Sequence, residues 1–164
     1  MKPGDEPKTV NGVEGPAASS RPGPPPPAGS PARHHGVLIL VVERDPHIRE
    51  LEAHFLDEAG YEVEFAKDGH AALEQARRLL PEIVITEILV PKLDGLALCR
   101  QLKGDPKTRS MSVLVFSILA ASGRAAEAGA DAFLLKPLAE HRLVETVKAL
   151  MNRRRQLEGR SGNE

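Results

Sequence analysis

At 164 residues, 41% hydrophobic and 27% charged, the chain has the size and make-up of one ordinary globular domain with room for unstructured ends. A formal net charge of -1 gives no electrostatic drive toward nucleic acid, and no apolar run approaches a membrane span. The opening MKPGDEPKTV lacks the apolar centre of a secretory signal, so a cytoplasmic location is expected. One cysteine, Cys99, rules out an internal disulfide and offers no metal cluster. Between Leu98 and the Arg100-Gln101-Leu102 stretch it reads as a buried structural thiol.

Residues 1–36 are rich in Pro, Gly, Ala and Ser, including Pro24-Pro25-Pro26-Pro27, and bury too little apolar surface to offset their ordering entropy. A disordered tail is expected, with the proline run a semi-rigid spacer or a polyproline ligand. His34-His35 is a lone pair within it and no metal site is expected there.

From Val37 the character changes. Val37 to Val42 is a continuous aliphatic run too short for a helix, the pattern of a strand buried on both faces. Asp45-Pro46 reads as an N-cap followed by proline at the first helical position. Ile48, Leu51, Phe55 and Ala59 follow at helical spacing, and Gly60 stops the helix. Tyr61 to Ala66 is a second strand, and Asp68-Gly69 opens a helix carrying Ala72, Ala76, Leu79 and Leu80 that Pro81 ends. Ile83-Val84-Ile85 is a third strand, and Asp94-Gly95 starts a helix with Leu96, Cys99 and Leu102 on its apolar face. Val113 to Phe116 is a fourth strand, Ala120 to Ala130 holds a short helix, and Ala132 to Leu135 is a fifth strand. Leu143, Val147, Leu150 and Met151 form the stripe of the last helix.

Five strands alternating with five helices imply right-handed crossovers and a parallel sheet, with the functional site at the carboxyl ends of the strands. Glu43, Arg44, Glu87, Ser117 and Lys136 each end or follow a strand, so the topology gathers them. The exposed helical histidines His54 and His70 read as solvated, and His47 has no evident partner. Arg153-Arg154-Arg155 reads as a solvated, dipole-matched helix end, not a nucleic-acid patch.

Four segments carry a resemblance. They are Leu40 to Pro46 (LVVERDP), Pro81 to Gly95 (PEIVITEILVPKLDG), Asp105 to Arg109 (DPKTR) and Gly129 to Pro137 (GADAFLLKP). In this order and spacing they resemble the response-regulator receiver domain over residues 37 to about 152. The resemblance implies a flavodoxin-like three-layer α/β sandwich around a five-stranded parallel sheet. It divides the chain into a tail (1–36), a receiver-like domain (37–152) and a short flexible C-terminal tail (153–164).

In that family a histidine kinase phosphorylates an aspartate, Mg²⁺ sits on an acidic pair, and a Ser/Thr and a Lys contact the phosphoryl oxygens. The cations offset charge building on those oxygens. By the resemblance Lys136 stands at the lysine position, Pro137 at the cis-proline, Ser117 at the hydroxyl, Phe133 at the switch aromatic and Glu43 at the first acidic position. Two positions depart: the phosphoacceptor place holds Glu87, and the second acidic place holds Arg44. A guanidinium binds no cation and stays protonated, so no Mg²⁺ or other cofactor is expected. Ile118, bulkier than the family's usual residue, is expected to narrow access. The stretch from Ser117 to Lys136 is short, which trims the fourth helix. Asp45 remains acidic, but its place before Pro46 suits a cap.

With Mg²⁺ gone, Arg44 and Glu87 could form an internal ion pair with Lys136 as a second cation, locking an active-like state; the alternative is a decayed site. Only a dozen residues follow the last helix, so no output domain is expected on this chain. The leading expectation is a non-enzymatic, stand-alone pseudo-receiver of a bacterial signalling pathway. It would dock to a histidine kinase or another regulator independently of phosphorylation. A phosphoryl-accepting single-domain regulator is the second expectation. A small-molecule binder is third, disfavoured because no Gly-rich phosphate loop follows the first strand.

Overall fold

In the computed structural model the described residues are 36–137 and 140–162. The expectations for the Pro-rich run and for His34-His35 lie outside them. The chain alternates β1 (Leu38–Val42), α1 (Pro46–Glu58), β2 (Glu62–Ala66), α2 (Gly69–Leu79), β3 (Ile83–Thr86), α3 (Gly95–Gly104), β4 (Ser112–Ser117), α4 (Ser122–Glu127), β5 (Ala132–Leu135) and α5 (Glu140–Ser161).

All strand pairs are parallel and the sheet order is β2-β1-β3-β4-β5, as the flavodoxin-like expectation requires. Every residue of β3 and β4 is buried, which is why their sequences run apolar without alternation. One face of the sheet packs Leu40, Val42, Val84, Val113 and Val115 against α2, α3 and α4. The other packs Ile39, Val41, Ile85 and Leu114 against Leu56 of α1 and Leu143, Val147, Leu150 and Met151 of α5.

The caps form where the sequence places them. Asp45 accepts from His47 N at 2.9 Å and Ile48 N at 3.4 Å, Asp68 from Ala71 N at 2.7 Å, and Asp94 from Leu96 N and Ala97 N at 2.9 Å each. Each removes a helix N–H from the unpaired set and fixes where the helix leaves the sheet edge. Cys99 is fully buried and lies 3.4 Å from the Ala128 carbonyl; burial pushes its thiol up to about 11, so it stays an inert packing group.

Three expectations are corrected. The buried stripe of α1 is Glu52 and Leu56, while Leu51 is 53% exposed, because the helix is rotated about one residue from the apolar pattern. In α2 the core face is Ala72, Leu73 and Ala76, and Leu80, at a left-handed φ of 50°, closes the helix from an exposed position. The last helix does not give way to a flexible tail at 153. It continues to Ser161, with Arg154 donating to the Ser110 carbonyl and lying 3.9 Å from Glu158 one turn on.

Gly95 begins α3 in a space that only glycine fits. A Cβ there would lie 2.2 Å from the Glu87 carbonyl oxygen and 2.9 Å from its carbon, while Gly95 N donates to the Ile88 carbonyl at 2.9 Å. The backbone bearing Glu87 is thus held between β1 and the start of α3. Gly95→Ala is therefore expected to destabilise by about 1–3 kcal/mol in urea unfolding, through forced displacement of the backbone at Glu87.

Candidate functional site

The strand ends deliver the site. Glu43 follows β1 and its N–H still reaches the Ala66 carbonyl at 3.2 Å; Glu87 follows β3 and bonds the Val42 carbonyl at 3.0 Å. Ser117 ends β4, and Lys136 follows β5 with its N–H on the Ser117 carbonyl at 2.8 Å. These backbone bonds extend the sheet ladder by one residue and bring the four side chains together, as the topology predicts. All four side chains are almost wholly buried.

Lys136 is the centre. Its Nζ lies 2.5 Å from Glu43 Oε2 and 3.1 Å from Glu87 Oε2, and 5.0 Å from the centroid of the Phe116 ring. The other oxygen of Glu43 accepts from Asp45 N at 3.0 Å, tying the cluster to the start of α1. Glu87 is satisfied on both oxygens: Oε1 accepts from Ser117 Oγ, Ile88 N at 2.7 Å and Leu89 N at 3.3 Å. Oε2 accepts from Ile118 N at 3.2 Å as well as from Lys136. Thr86 Oγ1 donates to the Glu87 carbonyl at 2.9 Å, fixing the same residue from the backbone side.

The titration behaviour follows from this crowd. Burial pushes the Glu87 carboxyl up, but the bonds from Ser117 and Lys136, the Lys136 charge and the Ile88 N–H outweigh it and hold it below the usual 4.5. Burial pushes the Lys136 ammonium down, and Glu43, with help from Glu52 and Glu87, outweighs that and holds it above 10.5. The site is a set of aligned donors saturated by a carboxylate.

Arg44 is not part of it. The side chain is exposed and makes no ion pair with Glu87 within 4.0 Å, so the expected Arg44–Glu87 pair is corrected. The reason is strand geometry: with Glu43 turned inward, the next residue turns out, where a guanidinium keeps its hydration. Among the described residues Lys136 supplies the positive charge at Glu87. Ile118 is 59% exposed, and it reaches the Glu87 carboxylate through its backbone N–H. Phe133 is half-buried against the α2–α4 core, and the Lys136–Pro137 peptide is cis. Two participants escaped the sequence reading. Phe116 was read only as a strand residue. Glu52 of α1 is 4% exposed, although its place midway between Ile48 and Leu56, four residues from each, was a usable signal.

Comparison with known proteins fits this architecture. Residues 39–148 match the response regulator receiver domain. The chain is a member of that family. It is 37% identical over 116 residues to the response regulator PleD of Caulobacter vibrioides, covering 69% of this chain and 25% of that protein. It is 39% identical over 120 residues to the response regulator MprA of Mycobacterium leprae, covering 70% and 51%. A crystal structure of a putative response regulator from Chloroflexus aurantiacus superposes with a TM-score of 0.68 at 33% identity, over 71% of this chain and 98% of that one. This receiver thus spans a quarter to a half of the curated relatives it matches. Among the described residues no helix is long and apolar enough to cross a membrane.

The family's Mg²⁺ does not fit the residues present. Glu43 and Glu87 share the Lys136 ammonium, which a divalent cation would have to displace, and Arg44 adds no oxygen ligand.

Two outcomes follow. Lys136→Met leaves Glu43 and Glu87 buried with no cation, and a loss of about 3–5 kcal/mol is expected in denaturant unfolding. For Glu87, whose folded pKa is depressed, the sign is that of a paired carboxylate: its stabilisation is present above about pH 4.5 and lost as the pH falls further. Unfolding midpoints in Glu87→Gln should accordingly decline less on acidification than in the natural sequence.

Proposed function

We propose that this receiver domain acts as a protein-interaction module that signals without phosphoryl transfer. In this reading Glu87 stands at the phosphoacceptor position and Arg44 at the second acidic position, so the domain is a pseudo-receiver. One observation carries it. The Glu87 carboxylate already takes the donors Ser117 Oγ, Ile118 N and Lys136 Nζ, two of which are the side chains that contact phosphoryl oxygens in the family. The longer glutamate puts its own oxygens where a transferred group would need those donors, and no metal position is left to offset added charge. The satisfied carboxylate supports a fixed, active-like arrangement over a decayed site, since every oxygen is paired despite burial.

The partners of such a module would be a histidine kinase or another regulator of a two-component pathway, met by a protein surface and not through nucleic acid. The domain is read as a signalling module and not an enzyme, at work in the cytoplasm and on its own. The competing reading, a phosphoryl-accepting single-domain regulator, predicts the opposite result in one assay. Incubated with acetyl phosphate and Mg²⁺, the protein is expected to gain no phosphoryl group by intact mass, and Glu87→Asp alone is expected to gain none either. Glu87→Asp combined with Arg44→Asp is the variant expected to respond, because it restores both the acceptor length and an oxygen ligand. An acid-labile phosphoryl group on the natural sequence, abolished by Glu87→Ala, would overturn the proposal.

A further inference from the structure

Glu52 sits in α1 at a position otherwise suited to an aliphatic residue, sharing the buried face with Leu56. It is 4% exposed, and its Oε2 has no hydrogen-bond partner among the described residues. A carboxylate oxygen in that condition has lost water and gained no donor, which favours the neutral acid.

The surroundings state the rest. The charges that bear on Glu52 stand at three strand ends: Lys136 after β5, Glu43 after β1 and Glu87 after β3. The other elements around α1 contribute apolar groups to the same core: Val63 and Phe65 from β2, Leu143 and Val147 from α5. Arg49, on α1 itself, lies over the Phe65 ring at 5.8 Å. One ammonium therefore serves two bonded carboxylates, and its charge also bears on a third, buried one that holds no bond to it.

We propose that Glu52 is a proton-binding site coupled to the Lys136 cluster. With the proton on, Lys136 serves Glu43 and Glu87 as observed. With the proton released to solvent, the new carboxylate competes for the same ammonium and loosens its hold on Glu87. That second consequence makes Glu52 a pH-sensitive control on the site, and it rests on the docking reading above; the proton site itself does not.

Burial, with Lys136 opposing and Glu43 and Glu87 adding to it, pushes Glu52 from 4.5 up to about 8, within reach of cellular pH. The folded state keeps a proton that the unfolded chain releases near 4.5. Stability from this group is thus fully present below about 4.5 and lost as pH rises through about 8. Between those limits the folded-to-unfolded ratio should fall by up to about tenfold per pH unit from this group alone.

The test is a pH titration of the full chain by carbon-detected NMR of glutamate carboxyls, with the Lys136 side-chain nitrogen followed in parallel. One carboxyl is expected to titrate near 8 and to vanish in Glu52→Gln, with the Lys136 signal moving at the same midpoint. Unfolding across the same range should show the alkaline loss in the natural sequence and not in Glu52→Gln or Glu52→Leu. The leucine variant covers failure of the amide to fold. If every carboxyl titrates in the ordinary acidic range, the proton site is overturned. If Glu52 titrates near 8 while Lys136 stays still, the coupling is overturned. Phosphorylation of Glu87 in the acetyl phosphate assay would remove the docking reading and leave the proton site standing, so the two failures are separable.

Discussion

A single ammonium, held between two buried carboxylates at the open end of the sheet, is the constraint on which the site depends. Lys136 Nζ reaches Glu43 at 2.5 Å and Glu87 at 3.1 Å, and all three side chains are almost wholly out of water. Taking such charges out of water costs several kcal/mol each, and their attraction offsets that only with good geometry and with the remaining lone pairs filled. The backbone N–H groups of Asp45, Ile88, Leu89 and Ile118 fill them. Those donors are held by backbone bonds one residue past the strands, Glu87 N–H on the Val42 carbonyl tying β3 to β1 and Lys136 N–H on the Ser117 carbonyl tying β5 to β4. Sheet geometry and site electrostatics are one arrangement.

This also explains why the fold was easy to read and the site only partly so. Runs such as Val37 to Val42 and Val113 to Phe116 leave little choice but a doubly covered strand, and Asp45-Pro46, Asp68-Gly69 and Asp94-Gly95 mark helix starts by chemistry that needs no tertiary context. Strand order then gathers Glu43, Glu87, Ser117 and Lys136 whatever their neighbours are. The direction of each side chain is a different matter. Glu43 and Arg44 are adjacent in sequence, and only the extended backbone running past β1 decides that the first enters the pocket and the second leaves it.

Glu52 and the last turns of α5 were missed for a shared reason: polar residues were assigned to solvent by type. In α1, rotation about the helix axis by one residue was enough to put a carboxyl in the core and Leu51 outside. In α5, Arg153 to Glu158 (RRRQLE) are good helix formers although mostly charged, and Arg154 finds the Ser110 carbonyl, so the helix has reason to continue past Met151.

Ile118 separates what a position is from what it does. Its side chain lies mostly in water, while its peptide N–H is one of the donors that hold Glu87. Every amino acid but proline brings that same N–H, so this bond to Glu87 is indifferent to which neutral residue is written at 118. An exchange of one neutral side chain for another at 118 would therefore reshape the exposed surface there while the donor beneath it stays in place.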